Sequence, residues 1–154
     1  MYLEGKNYIV RNLKPEDKHN IMTLEESRPW AKNMLKFANS LPGGNTQNYF
    51  EDLWNDYVTE KFFWCIYRKD GSFCGDIQLD KDGEEEFHFY IQLMDDAEIE
   101  GFGTELFDQI LTEVAKISGA KYLYIELWNE DDRSKLIYEE AGYEMKNGQL
   151  EIDI

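Results

Sequence analysis

Apolar and polar positions alternate in two-residue steps over several short stretches and recur at three- and four-residue steps over others, the signature of strands mixed with helices. Asn7–Leu13 reads as a first strand, and Lys14-Pro15-Glu16-Asp17 as the entry to a helix running from Asp17 to Glu26. Pro29–Thr59 predicts one or two further helices, interrupted at Leu41–Asn45. Lys61–Arg68 and Ser72–Leu79 read as strands joined through the hairpin signal Asp70-Gly71. Glu85–Leu93 is a third long strand, with Phe87, Phe89 and Ile91 alternating against His88, Tyr90 and Gln92. Leu106, Phe107, Ile110, Leu111 and Val114 then recur at helical spacing, and this helix runs to about Ser118-Gly119. Lys121–Leu127 alternates as a strand, Asp131–Ala141 reads as a helix ended by Gly142, and Tyr143–Ile154 as one or two short strands around Asn147-Gly148. The order predicts one mixed α/β (α+β) domain spanning residues 1–154, with a central, mostly antiparallel sheet flanked by helices.

Composition agrees with that and narrows the partners. Of 154 residues 42% are hydrophobic and 15% aromatic, too many for a disordered chain, and enough to fold without disulfides or metal. Cys65 and Cys74 flank the predicted hairpin turn and lack zinc-site spacing; they read as two reduced thiols, bridged only if the register brings them together. No metal site is predicted. The longest apolar run, Phe62–Ile66, is strand-sized, which speaks against a membrane span. Met1–Lys6 lacks the basic start and apolar block of a secretory signal, so the cytoplasm is the expected location. A net charge of −16 argues against a nucleic-acid partner, since a polyanion needs clustered Lys and Arg. Such a field draws cations, although surface acidity also simply keeps a protein soluble.

The chemically informative stretch is Glu98-Ile99-Glu100-Gly101-Phe102-Gly103-Thr104, between a strand and a helix. Two glycines let the backbone turn tightly and expose N–H groups at the helix start, where the positive end of the dipole favours an anion. A plain strand-to-helix turn has the same pattern. No Gly-Lys-Ser/Thr follows, so this is not a Walker loop, and Leu106 stands where a dinucleotide fingerprint has its third glycine.

A long strand, then x-x-x-Gly-x-Gly, then a helix resembles the pyrophosphate loop of GNAT acyltransferases, usually Gln/Arg-x-x-Gly-x-Gly/Ala. Downstream, Asp131-Asp132-Arg133-Ser134-Lys135-Leu136-Ile137-Tyr138-Glu139-Glu140-Ala141-Gly142-Tyr143 resembles that family's Asn-x-x-Ser/Ala-x-x-Leu-Tyr-Glu-Lys-x-Gly-Phe. The resemblance implies an N-acetyltransferase using acetyl-CoA as co-substrate. By that likeness, main-chain groups around Gln92 and Leu93, at a splayed strand end, receive the pantetheine arm. The amides of Gly101, Phe102, Gly103 and Thr104 hold the pyrophosphate, and a bulky side chain at Gly101 or Gly103 is expected to weaken cofactor binding more than the fold. Glu98, at the usual Gln/Arg position, and Asp131 and Ser134, through the second motif, count with the cofactor-binding positions.

The resemblance makes Tyr138 the general acid that protonates the leaving thiolate while the amine attacks the thioester directly. A phenol's reference pKa, ~10, lies near that of an alkyl thiol, so proton transfer is nearly balanced; packing of its helix explains a tyrosine there equally well. Glu86, His88, Tyr90 and Glu126 are candidate general bases. Trp30, Phe37, Tyr49, Phe50, Trp54 and Tyr57, with Glu51, Asp52 and Asp56, suit a small cationic amine acceptor, or else pack the helices. An exposed sheet edge near the terminal strands leaves room for a homodimer.

The loop departs from the family pattern in its charge. Between Lys81 and Lys116 there is no Lys or Arg, while Asp95, Asp96, Glu98 and Glu100 crowd the loop; Arg133 and Lys135 offer the nearest compensation in sequence. These departures keep two alternatives open: a catalytically silent GNAT-like CoA-binding or regulatory module, and an acidic protein-interaction domain.

Overall fold

A computed structural model describes residues 1–28, 30–43 and 46–154, with the side chains of residues 32, 38, 46 and 47 excepted. Of the break expected at Leu41–Asn45, Gly44 and Asn45 therefore lie outside the described residues, as does Pro29. The chain divides into two compact units, residues 13–61 and the remainder.

The larger unit carries a seven-stranded sheet in chain order: β1 (Tyr2–Glu4), β2 (Tyr8–Asn12), β3 (Phe63–Arg68), β4 (Phe73–Lys81), β5 (Glu86–Leu93), β6 (Tyr122–Glu126) and β7 (Gln149–Asp153). Every neighbouring pair is antiparallel except β5–β6. That parallel pair needs a crossover, and α4 (Phe102–Ser118) supplies it. A second helix of this unit, α5 (Ser134–Glu140), links β6 to β7.

Two-residue alternation decides which side of the sheet is dry. Phe87, Phe89, Ile91 and Leu93 of β5, at most 5% exposed, join Trp64, Ile66, Ile77 and Leu79 in one core with Leu106, Phe107, Ile110 and Val114 of α4 and Ile137 and Tyr138 of α5. The alternate positions (Cys65, Asp76, Gln78, His88, Tyr90, Gln92 and Tyr124) stand in register on the opposite face. Both cysteines are buried and neither is in a disulfide; Cys65 lies opposite Asp76, whereas Cys74 belongs to the helix-covered core, where burial pushes its thiol up to about 11.

The sequence misses β1, a three-residue strand with only Leu3 turned inward, too short for a period to register. The last helix begins at Ser134 rather than Asp131. Past the Asn147-Gly148 turn there is one strand, preceded by a single bridge between Lys146 and Gln149.

Among its described residues the smaller unit holds a 3-10 turn, Pro15–Asp17, and three helices: α1 (Lys18–Glu26), α2 (Ala31–Ser40) and α3 (Thr46–Thr59). The Asp17 carboxylate accepts a 2.7 Å hydrogen bond from the Lys14 amide and starts the turn; Ile21 and Leu24 are fully buried. Among the described residues no helix is long and apolar enough to cross a membrane, and no group of His, Cys, Asp or Glu is placed to hold a metal.

Candidate functional site

The β5–β6 ladder is short. Pairing runs from Glu86↔Tyr122 to His88↔Tyr124, and among the described residues it goes no further, although β5 continues to Leu93 and β6 to Glu126. On its other side β5 stays paired with β4 as far as Gly75↔Leu93. The sheet thus opens between β5 and β6, and the connection that leaves the open end of β5 leads into α4.

That connection is fastened at several points by side chains. The Arg133 guanidinium donates to the carbonyls of Met94 (2.6 Å), Asp95 (2.9 Å) and Ala97. Tyr8 of β2 donates its hydroxyl to the Glu100 carbonyl at 2.8 Å, and Arg68 of β3 stands on Tyr8 and reaches the Glu98 carbonyl at 3.4 Å. From the first turn of α4, Glu105 accepts the Asn7 amide at 2.6 Å. The Glu98 side chain lies outward, 79% exposed, 3.9 Å from Arg68. Arg133 thus brings its charge onto the loop itself, while Lys135 pairs with Glu139 at 3.6 Å.

Gly101 precedes α4 with φ 84°, a left-handed conformation for which glycine is suited, and an added Cβ there would meet nothing within 4 Å. Its amide and that of Gly103 converge on one carboxylate: Gly101 N–H donates to Glu140 Oε1 at 2.9 Å, Gly103 N–H to Oε2 at 3.1 Å. The Thr104 hydroxyl donates to the Glu140 carbonyl at 3.4 Å, and the Phe102 amide to the Ile99 carbonyl at 3.1 Å. The helix start is thus an anion site by its chemistry, and the anion in it is the protein's own. This donor set suits a diphosphate once Glu140 withdraws. Sequence reasoning missed Glu140; the available signal was its place, since it stands where the resembled motif has Lys. Gly103 serves a different need. A Cβ there would lie 2.9 Å from both the Ile137 carbonyl carbon and Glu140 Cβ, and closer still to the Ile137 oxygen, so the absence of a side chain lets α5 seat on α4.

Tyr138 is 1% exposed, its ring edge-on to Phe107 at 5.4 Å. Burial pushes its phenol pKa well above the ordinary value; the nearby Asp132 charge adds to this, and a hydrogen bond with Ser134 opposes it. Ser134 Oγ donates to Asp132 Oδ1 at 2.7 Å. The same Asp132 oxygen takes the Ser134 amide at 3.0 Å, and Oδ2 takes the Trp128 amide at 3.0 Å. Asp132 is therefore the carboxylate that starts α5, which is why the helix begins at Ser134 and leaves Asp131 on the exposed turn before it.

On the sheet face away from α4, aromatic rings follow the opening. His88 stacks on Tyr90 at 6.2 Å, Tyr90 on Trp128 at 6.5 Å, and Tyr124 stands edge-on to His88 at 5.1 Å. Burial raises the Tyr90 pKa, and the negative charges of Asp80, Glu126 and Asp82 raise it further. His88 pairs with Asp82 at 3.3 Å. Of the four candidate bases, His88 and Tyr90 are brought together here, while Glu86 and Glu126 lie exposed at strand ends. Gln92 follows on this face, 9% exposed, opposite Asp76; among the described residues its Oε1 meets no donor. Leu93 points into the core at 5% exposure.

The aromatic residues expected around the acceptor belong to the smaller unit. There Tyr57 donates to Glu25 at 2.8 Å, Glu51 pairs with Lys18 at 2.7 Å, Tyr49 and Phe50 meet edge-on at 5.3 Å, and Phe37 is 63% exposed. Burial raises the Glu25 carboxyl pKa, with Tyr57 and Arg28 opposing.

Comparison with known proteins places this arrangement. The family profile described as "Acetyltransferase (GNAT) domain" matches residues 7–144. No curated protein sequence matches the chain. Among solved structures, a spermidine N-acetyltransferase from Vibrio cholerae in complex with CoA and spermine superposes with a TM-score of 0.65 at 16% identity, covering 95% of each chain. A GNAT-family acetyltransferase from Bacillus anthracis gives 0.63 at 14%, over 92% of this chain and 82% of that one. A GCN5-related N-acetyltransferase from Brucella melitensis gives 0.61 at 16%, over 95% and 68%. At such identities the superpositions speak for the fold, and the profile, spanning most of the chain, for the family. The chain belongs to the GNAT acetyltransferase family and is a GNAT-type N-acyltransferase.

Proposed function

We propose that this protein transfers the acetyl group of acetyl-CoA to a small cationic amine, the amine nitrogen attacking the thioester carbonyl as the carbon–sulfur bond breaks. The observation that carries the proposal is the parting of β5 from β6 beyond His88↔Tyr124, in the same unit as a helix start whose amides already hold an anion. In this reading the main chain at Gln92 and Leu93 lines the opening, and the amides of Gly101 to Thr104 take the diphosphate. Glu98, Asp131 and Ser134 border the cofactor, and Tyr138 returns a proton to the departing sulfur. Burial and the nearby Asp132 charge keep that phenol protonated, the form the role requires.

The aromatic row Trp128–Tyr90–His88, with the charges of Asp80, Asp82 and Glu126 acting on Tyr90, supports a cation as acceptor: ring faces and carboxylates both attract an ammonium group. The net charge of −16 favours the same class. Relatives named as spermidine acetyltransferases make polyamines the first compounds to try. The reading takes residues 1–154 as one domain acting in the cytoplasm, with room for a homodimer. Incubation with acetyl-CoA and a panel of polyamines, monoamines and acidic amino acids, following free thiol, tests it. Polyamines or other cationic amines are expected to release thiol fastest; preference for an acidic acceptor refutes the acceptor class.

A second reading has its own observation, the buried Tyr138 together with the occupied helix start: a relative that binds CoA without turnover. Saturable CoA binding with no thiol release from any amine selects it.

A further inference from the structure

Three facts about the start of α4 belong together. Its Gly101 and Gly103 amides converge on the Glu140 carboxylate at 2.9 and 3.1 Å, so the helix's positive end already faces a full negative charge. The two cations that precede Glu140 on the same segment are engaged elsewhere: Arg133 on the carbonyls of Met94, Asp95 and Ala97, Lys135 on Glu139. The two ends of the contact also differ in freedom. At Gly103 the backbone of α5 sits against α4, whereas around Gly101 there is open space and the hydrogen bond lies at the surface. The Glu140 side chain can therefore swing out past Gly101 without any movement of α5.

We infer that Glu140 sets the affinity of this protein for the phosphates of its donor, by holding in cis the amides that a diphosphate needs. The inference rests on the acetyl-CoA reading above. A diphosphate at the helix start displaces the carboxylate, losing two charge-assisted hydrogen bonds, and then binds beside the like charge it has displaced. Wild-type affinity is correspondingly low. Glu140→Gln removes the like charge and weakens the competing hydrogen bonds, and Glu140→Lys removes both penalties.

The test titrates CoA into wild type, Glu140→Gln and Glu140→Lys by calorimetry at low salt, with thermal midpoints measured with and without CoA. Expected are a dissociation constant roughly tenfold lower for Gln and lower again for Lys, and midpoints below wild type without CoA but at or above it with saturating CoA. Equal or weaker CoA binding by folded variants, where wild type binds, overturns the inference and leaves the acetyl-CoA reading standing. Absence of saturable binding in all three overturns both. A measurement on the wild type alone guards against variants that do not fold: the carboxylate carbon resonance of Glu140 should move on CoA saturation, and a resonance that stays put while CoA binds contradicts the inference.

Discussion

Replacing Gly103 by alanine should damage the fold, although the residue lies in what looks like a ligand loop. The added Cβ would lie 2.9 Å from the Ile137 carbonyl carbon and from Glu140 Cβ, with the Ile137 oxygen nearer still. Ordinary carbon contacts lie at ~3.5–4.0 Å, so α5 must retreat from α4 by about an ångström or the α4 turn must distort. Overpacking of this kind costs ~1–3 kcal/mol, and at this chain length each kcal/mol lowers the thermal midpoint by roughly 2–4 °C. A fall of about 2–12 °C follows. Gly101→Ala is the control: its Cβ meets nothing within 4 Å, but φ 84° strains any other residue by ~1 kcal/mol. Thermal unfolding followed by circular dichroism, with urea midpoints at unchanged slope, should rank wild type above Gly101→Ala above Gly103→Ala. A Gly103→Ala midpoint within about 1 °C of wild type would refute the packing argument and return Gly103 to the ligand role that its sequence context suggests.

Tyr138→Phe should lower turnover by ~10²-fold or more if the phenol is the acid, with CoA affinity almost unchanged; Ser134 keeps Asp132, so stability should fall little. An unaltered rate makes Tyr138 a packing residue. Arg133→Met leaves the carbonyls of Met94, Asp95 and Ala97 without their donor and should cost ~1–3 kcal/mol. Faster hydrogen exchange at the Ala97 amide would report it, and Arg133→Lys should not rescue, since a compact ammonium lacks the rigid planar fork that spans these carbonyls. For Glu25 the folded pKa lies above the ordinary 4.5, so its contribution to stability is fully present below that value and is lost as pH rises through the raised one. Glu25→Gln should therefore gain on wild type between those two values, by ~1.4 kcal/mol for each pH unit that separates them, and hold a constant margin at higher pH. Urea unfolding of both proteins across that range measures it, and a margin independent of pH refutes the assignment.

The sheet was legible because alternation at Phe87, Phe89 and Ile91 is a local property, and the same holds for the stripe of α4. β1 was not, because its three residues acquire a role only by pairing with β2. The two glycines of the loop were visible, but not their separate tasks: Gly101 answers to its own φ, whereas Gly103 answers to a helix thirty-odd residues downstream. Glu140 was hidden for the same reason. A carboxylate at the end of a helix carries no mark of the amides it will meet, and only a tertiary contact between α4 and α5 brings them together. Likewise Arg133, read along the chain, looks available to phosphate, and the loop carbonyls that claim it lie far from it in sequence.

The most direct trial of the account is a titration of the isotope-labelled protein with CoA, observed amide by amide. Saturable shifts concentrated at Gly101–Thr104 and at Gln92 and Leu93 are predicted. Saturation that leaves those amides unmoved, or shifts confined to other parts of the chain, would contradict it.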